Sequence, residues 1–328
     1  MRVLVTGGAG YVGSHVSAAL LEAGHRVTAF DDLSEGHPEA AEALGVPLLK
    51  GSILSAADLD AALGRSRAEA AVHMAARCLV GESVENPGLY WRVNVIGSLT
   101  LAEALERAGV RMLVFSSSAA VYGQPDGGII EETARTEPCN PYGRTKLVFE
   151  QALADLAAAG RLRYVALRYF NAAGAHASGR IGEDHPVETH LVPNVLKAAL
   201  GSGKPLKIFG TDYPTPDGTA VRDYVHVEDL ARAHVLALER LAGGAPGGRY
   251  NLGTGRGSSV REVLAAARRV TGREFPAEEC PRRAGDPARL VASHDLAGRK
   301  FGWSPQRSLD DILESAWRWH TTHPRGYA

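Results

Sequence analysis

The sequence predicts an α/β protein built on a doubly wound parallel sheet, with a smaller C-terminal α/β domain that would bind substrate. Three observations predict it. Short apolar runs alternate with amphipathic stretches of helical period through residues 1–170. A glycine run, Gly7-Gly8-Ala9-Gly10-Tyr11-Val12-Gly13, sits between the first apolar run and the first helical stretch. The connections have the length that right-handed crossovers between parallel strands require.

Arg2 to Val5 reads as a buried strand, and Val12 to Ala23 as a helix closed by Gly24 at its C-cap. Arg26 to Phe30 is a second strand ending in Asp31-Asp32, and Val46 to Lys50 a third. Ala70 to Ala75, Arg111 to Phe115 and Tyr164 to Arg168 continue the series. Helical patterns fill the gaps at Ala56 to Leu63, Leu89 to Ala108 and Tyr142 to Ala159. Together these make residues 1–170 a Rossmann-type dinucleotide-binding domain. Residues 171–328 form a second region, with room for the chain to cross back to the first sheet. There Asn171 to Thr189 has no clear period and reads as loops over a pocket. Helices are expected at Val192 to Leu200, Val227 to Leu241 and Leu309 to His320, and Ser259-Val260-Arg261-Glu262 is a capping box opening one more.

Bulk composition narrows the function classes. Thirty-six basic and 37 acidic side chains leave a net charge of −1, which gives no basic field for nucleic acid or an anionic membrane. No apolar run approaches the ~18 residues of a membrane span, and the first residues lack a signal-peptide pattern, so a cytoplasmic protein is expected. Cys78, Cys139 and Cys280 are odd in number and widely spaced, which reads as reduced thiols. The twelve histidines show neither H-x-x-x-H nor H-E-x-x-H, so no metal is expected. His73 reads as a satisfied structural histidine.

Two constellations carry chemistry. In the glycine run, Gly7, Gly10 and Gly13 let the backbone approach a pyrophosphate, which the following helix N-terminus attracts. Asp31 lies roughly 20 residues on, where a carboxylate meets a ribose diol and repels a 2′-phosphate. With Asp32 beside it, NAD is favoured over NADP. A solvated turn is the bland alternative for this Asp pair. The second constellation is Tyr142-Gly143-Arg144-Thr145-Lys146 with the serine run Ser116-Ser117-Ser118. Tyr142 and Lys146, four apart, share a helix face, and an ammonium beside the phenol would draw its pKa down from ~10. Pro141 sets the helix start, and Ser118 would serve as a second hydrogen-bonding group. An exposed Tyr and Lys is the alternative reading. Further on, Arg222 and the Arg282-Arg283-Ala284-Gly285-Asp286 turn offer guanidinium forks for phosphate, with surface ion pairing as the alternative.

Taken as a set, Thr6 to Gly13, Phe115 to Gly123, Pro141 to Lys146, Leu167 to Asn171, Gly218 to Asp229 and Arg282 to Asp286 resemble the UDP-glucose 4-epimerases. These are extended short-chain dehydrogenases/reductases, and the resemblance covers essentially the whole chain. It implies NAD as cofactor, a UDP-sugar as substrate and a homodimer. It also implies that UDP-galactose and UDP-glucose interconvert through a transient 4-keto sugar. By the same resemblance Tyr142 is the base, Lys146 lowers its pKa and holds the nicotinamide ribose, and Ser118 bonds the O4 region. Tyr11, Val12, Ser52, Ile53, Asn94, Ser116 and Tyr169 join the cofactor site. Phe170, Asn171, His190, Leu191, Ile208, Phe209, Arg222, Arg283 and Asp286 line the sugar-nucleotide pocket, with Ser118 and Tyr142.

Departures from the family pattern matter as well. Ser52 replaces an aspartate near adenine, Cys78 a cofactor-contacting lysine, and His190 an asparagine. Leu290 aligns with a wall position that is tyrosine in members restricted to unacetylated hexoses, which leaves UDP-N-acetylhexosamines open. A UDP-GlcNAc/UDP-GalNAc 4-epimerase, a 4,6-dehydratase and a non-catalytic NAD-binding regulatory protein are the alternatives. The dehydratase is disfavoured by Ser118-Ala119 where an Asp-Glu pair would stand.

Overall fold

The computed structural model describes residues 1–125, 128–202, 205–283 and 286–327. Its central sheet has seven parallel strands, in spatial order Gly248–Leu252, Arg163–Tyr169, Met112–Ser118, Ala70–His73, Arg2–Thr6, Arg26–Asp31 and Leu48–Lys50. Thr6 pairs with Phe30 on one side and His73 on the other. Strand order therefore reverses at the first strand, and the crevice beyond its C-terminal end is the switch point where such sheets hold ligands.

The pleat sorts the apolar residues into two layers. Val3 and Val5 face one core with Val16, Leu20, Leu230 and Leu238, while Leu4 faces another with Leu59, Leu101, Phe115, Phe149 and Leu153. Each such buried side chain contributes about 1.5–3 kcal/mol. A third core joins the helices Leu191–Ala199, Val260–Thr271 and Leu309–Thr322 through Val195, Leu196, Val263, Leu264, Ile312 and Leu313. Trp319 is buried in this last helix and Trp317 packs on that third core.

Residues 171–328 do not stay apart from the first sheet. The helix Val227–Ala242 packs against Tyr11–Glu22, and Gly248–Leu252 becomes the sheet's edge strand. The remaining strands form small sheets, among them Leu206–Phe209 parallel to Ala277–Cys280 and Asn171–Ala173 parallel to Tyr224–His226. Ser259 caps its helix in the expected box, accepting from Glu262 N at 3.0 Å while Ser259 N donates to the Glu262 carboxylate at 2.7 Å.

Two expectations change. The helix read over Leu89 to Ala108 is three pieces: Pro87–Tyr90, a π-helical Trp91–Gly97 and Ser98–Arg107. The wide turn brings Asn94 inward, and Ser98 Oγ donates to the Asn94 carbonyl at 2.7 Å. The serine run lies within the strand Met112–Ser118 rather than after it, because its backbone stays paired with Leu167–Tyr169. Among the described residues no helix is long and apolar enough to cross a membrane.

Candidate active site

At the switch point the glycine turn follows the strand Arg2–Thr6 directly. Gly7 has φ +70°, and a Cβ there would stand 2.6 Å from Ala75 N. A Cβ on Gly13 would overlap the Gly7 carbonyl oxygen, so helix and turn touch backbone to backbone. Gly10 is the N-cap of Tyr11–Glu22 and supplies no side-chain cap, which leaves the first amides open toward the crevice. Asp31 is buried; its carboxylate accepts from Ala9 N at 3.0 Å and Leu33 N at 2.9 Å. Burial raises its pKa, and those two amides oppose the rise. Asp32 is exposed and accepts from Ser34 N at 2.9 Å, closing a turn.

The catalytic side is built from Met112–Ser118, Arg163–Tyr169 and the helix Pro141–Ala158, whose N-cap Asn140 accepts from Gly143 N at 2.9 Å. Lys146 is buried, donates Nζ to the Ser116 carbonyl at 2.9 Å, and lies 5.0 Å from the Phe115 ring centre and 5.8 Å from that of Tyr142. Ser116 Oγ meets the Tyr169 hydroxyl. Ser118 hydrogen-bonds Tyr142, and its Oγ also accepts from Ala120 N at 3.1 Å. Serine, phenol and ammonium thus converge.

The phenol's electrostatics differ from expectation. Burial raises the Tyr142 pKa above its ordinary value, Cys78 adds to the rise, and the Ser118 hydrogen bond pulls it down. Burial also draws Lys146 down to about 8, and the Glu150 carboxylate works against that fall. Cys78 is exposed as a residue, yet its thiol is enclosed and burial pushes it to about 11, so it is neutral near pH 7.

Two residues beyond Tyr169, Asn171 enters the wall of a cavity of about 420 Å³. Two extended residues span about 7 Å, so this wall begins within that distance of the Tyr169 backbone. His190, Leu191, Phe209, Arg222, Arg283 and Asp286 line the same cavity. Arg283 lies 4.0 Å over the Phe209 ring, and Arg222 pairs with Asp286. Arg282 is spent on Asp212 at 2.7 Å. Ala284 and Gly285 of the expected turn lie outside the described residues.

Residues 3–253 match the NAD dependent epimerase/dehydratase family. This chain belongs to that family. A UDP-glucose 4-epimerase of Azospirillum brasilense is 52% identical over 97% of this chain and 91% of its own length. One from Halalkalibacterium halodurans is 48% identical over 100% and 98%. The crystal structure of UDP-glucose 4-epimerase from Stenotrophomonas maltophila, with bound NAD and formylated UDP-arabinopyranose, superimposes with TM-score 0.96 at 44% identity, covering 99% of each chain.

Membership of an NAD dependent family requires a dinucleotide cradle, and the chain has one: a turn that a Cβ would fill, open helix amides and the Asp31 carboxylate. Other expected cofactor residues sit less directly. Ile53 is a core side chain packed on Gly97, so only its backbone can face a ligand. Both Asn94 amide protons are committed, to the Arg77 carbonyl at 3.0 Å and Thr145 Oγ1 at 3.1 Å, while Oδ1 accepts from Arg77 N at 2.8 Å. Asn94 holds the 75–78 segment against the catalytic helix. Tyr11 donates to the Gly174 carbonyl at 2.6 Å, and Val12 packs on the core. Ser52 is half-buried and its Oγ accepts from Leu54 N at 3.3 Å.

One expected substrate residue has its side chain elsewhere. Ile208 is buried in the third core and borders a separate, smaller cavity with Leu264 and Arg268, away from the Arg222 cavity. Leu206, Lys207 and Phe209 line the larger cavity, whereas the Ile208 side chain packs into the third core. Lys207 and Tyr224 are wall residues that sequence reasoning missed. Phe170 lies in an apolar cluster with Tyr122 and Leu290, beside the cavity rather than on its wall. His73 is buried between Thr6 Oγ1 at 2.7 Å and Ser98 Oγ at 2.8 Å. Ser98 already donates to the Asn94 carbonyl, so it accepts from His73 Nε2–H, and the ring is a neutral structural group.

Proposed function

We infer that the protein is a UDP-glucose 4-epimerase, interconverting UDP-galactose and UDP-glucose through a 4-keto sugar. The observation that supports this is the clustering of Ser118, Tyr142 and Lys146 in a chain that also carries the glycine turn and an arginine-lined cavity. NAD, when bound, supplies reversible hydride acceptance at hexose C4. Tyr142 takes the O4 proton and, once the 4-keto sugar has presented the opposite face of C4 for reduction, returns a proton to the same oxygen, with Ser118 donating to that oxygen while it is charged. Lys146 places a positive charge within reach of the phenol and the ribose. Arg283 and Arg222 hold the diphosphate, and Phe209 packs on the base; Asp286 keeps Arg222 oriented until phosphate competes for it. Residues 1–170 with the returning Val227–Leu252 segment serve the dinucleotide, and the rest serves the nucleotide sugar.

Proton NMR of UDP-galactose with purified protein tests the reading. Anomeric signals moving to a mixture rich in UDP-glucose support it; none moving after NAD⁺ is supplied overturns it. A second reading, turnover of UDP-N-acetylhexosamines, draws on Leu290, which sits beside Phe170 without the bulk of tyrosine. UDP-GlcNAc in the same assay decides that. The assembly we propose is a homodimer, working in the cytoplasm, where its substrates are made. Trp91, Ile96 and Leu99 are 38%, 55% and 36% exposed along one helical stretch, an apolar surface suited to a second copy. Light scattering should return twice the 34.7 kDa chain mass.

A further inference from the structure

Beside the Arg222 cavity, four titratable side chains meet: Glu183, His185, Glu188 and His190 have donor atoms all within 4.8 Å of one another. Both carboxylates are nearly closed off, at 4% and 6% exposure, whereas His190 is 45% exposed and belongs to the cavity wall. His190 Nδ1 lies 2.5 Å from Glu183 Oε1 and 3.6 Å from Glu188 Oε1. His185 Nδ1 lies 3.5 Å from Glu183 Oε1 and 3.3 Å from Glu188 Oε2. A direct contact such as His190 to Glu183 leaves no space for an ion between them, since two ligands at ~2.1 Å from one metal stand roughly 3.4 Å apart. The arrangement is a charge-balanced hydrogen-bond network.

We propose that Glu183, with His185 and Glu188, is a positioning group that holds His190 as a cationic donor to the diphosphate of the nucleotide sugar. The proposal rests on the epimerase reading above. Its logic is which ring nitrogen carries the proton. Nδ1 must keep its hydrogen to serve Glu183, so any proton His190 loses leaves from Nε2, the nitrogen left for a ligand. Protonated, Nε2–H donates to a phosphate oxygen. Neutral, it turns a lone pair toward the same anion, and attraction becomes repulsion. Burial pulls the His190 pKa down, but the Glu183 charge and hydrogen bond, then Glu188, outweigh it and push it up to about 9. The donor form therefore holds at neutral pH and is lost as pH rises through that value.

Tyr11 faces Glu183 and Glu188 from the first helix, and His320 faces Glu188 from the last. Across the cavity stand Lys207, Arg222, Arg283 and Asp286.

The test is binding of UDP, and KM for UDP-galactose, from pH 6 to 10 with NAD-loaded enzyme, for wild type, Glu183→Gln and His190→Asn. One charge-assisted hydrogen bond lost corresponds to roughly ten- to hundredfold weaker binding. Wild-type affinity should fall by that factor between pH 8 and 10. Glu183→Gln should bring the fall below pH 8, where the uracil ring does not titrate, and His190→Asn should be weaker at pH 7 with no fall there. The effect belongs to KM, while Lys146, titrating in the same range, acts on kcat. Coincident profiles for wild type and Glu183→Gln overturn the proposal, as does unchanged affinity in His190→Asn, which keeps the test open should Glu183→Gln fail to fold. Wild type that binds no UDP at pH 7 sinks the epimerase reading itself.

Discussion

Glu150 and Arg168 form a buried ion pair one helical turn beyond Lys146, and breaking it should cost more than any surface change. Their side chains are 0% and 2% exposed. Arg168 Nη2 reaches Glu150 Oε2 at 2.5 Å and Nε reaches Oε1 at 2.9 Å, a two-point fork. Ser117 Oγ donates to Oε1 at 2.5 Å, and Arg168 Nη1 donates to the Tyr122 hydroxyl at 2.9 Å, which in turn donates to Asn251 Oδ1 at 2.7 Å. Burial would pull the Arg168 pKa down, and Glu150 outweighs it and raises it. Glu150→Gln turns amide protons toward a guanidinium whose hydrogen-bonded anion, among the described residues, is Glu150. Removing one partner of a buried pair costs about 3–5 kcal/mol.

For a chain of 328 residues the entropy of unfolding is roughly 0.7 kcal/mol per kelvin, so Tm should fall by about 4–7 °C. Differential scanning calorimetry at fixed NAD concentration measures it, the cofactor being held constant because binding itself shifts Tm. Replacing both partners, Glu150→Met with Arg168→Met, should recover part of the loss, since no lone charge is left behind. The reasoning is refuted if the single change moves Tm by less than about 1 °C, or if the double variant is no better than the sum of its singles.

Tyr142→Phe should lower kcat by ~10²–10⁴-fold while NAD stays bound, checked by the NMR assay and by cofactor absorbance after gel filtration. Gly13→Ala places a Cβ on the Gly7 carbonyl, so purified protein should carry at least about tenfold less NAD. Because Lys146 loses its proton near pH 8, kcat should drop above that pH, and Glu150→Gln, which removes a charge favouring the ammonium, should move the drop lower. His73 is held neutral by burial with a pKa near 3, while an unfolded histidine takes a proton near 6.5. The unfolded state therefore binds more protons between those values, and stability falls as pH drops through them by about 1.4 kcal/mol per pH unit. His73→Gln should flatten the acid limb of a urea-unfolding profile by that slope.

What was legible beforehand was local. The glycine turn, the Tyr142–Lys146 spacing, the capping box at Ser259 and the strand–helix alternation each depend on residues within one or two turns of each other, where period and sterics decide. The two apolar layers followed from the alternation of Val3, Leu4 and Val5. What escaped depends on partners far along the chain. The π-turn at Asn94 exists because Arg77 and Thr145 meet its amide across the fold, and no period announces it. Glu183, His185, Glu188 and His190 lie in an aperiodic segment, and only its path beneath the cavity gathers them.

The missed sign at Tyr142 has the same origin and a chemical consequence. Spacing placed a lysine beside the phenol, but spacing cannot say which acceptor the ammonium chooses, and in the folded chain it chooses the Ser116 carbonyl. Burial then works on both groups in the direction that removes charge, raising the phenol and lowering the amine. A site biased in this way makes a poor base while it stands alone. The bias reverses when positive charge arrives next to the phenol, because each added cation favours phenolate most strongly where water is scarce. Burial of Tyr142 thus makes its acidity sensitive to charge in the crevice, and titrating the phenol with and without bound NAD⁺ should show the lower pKa in the loaded protein.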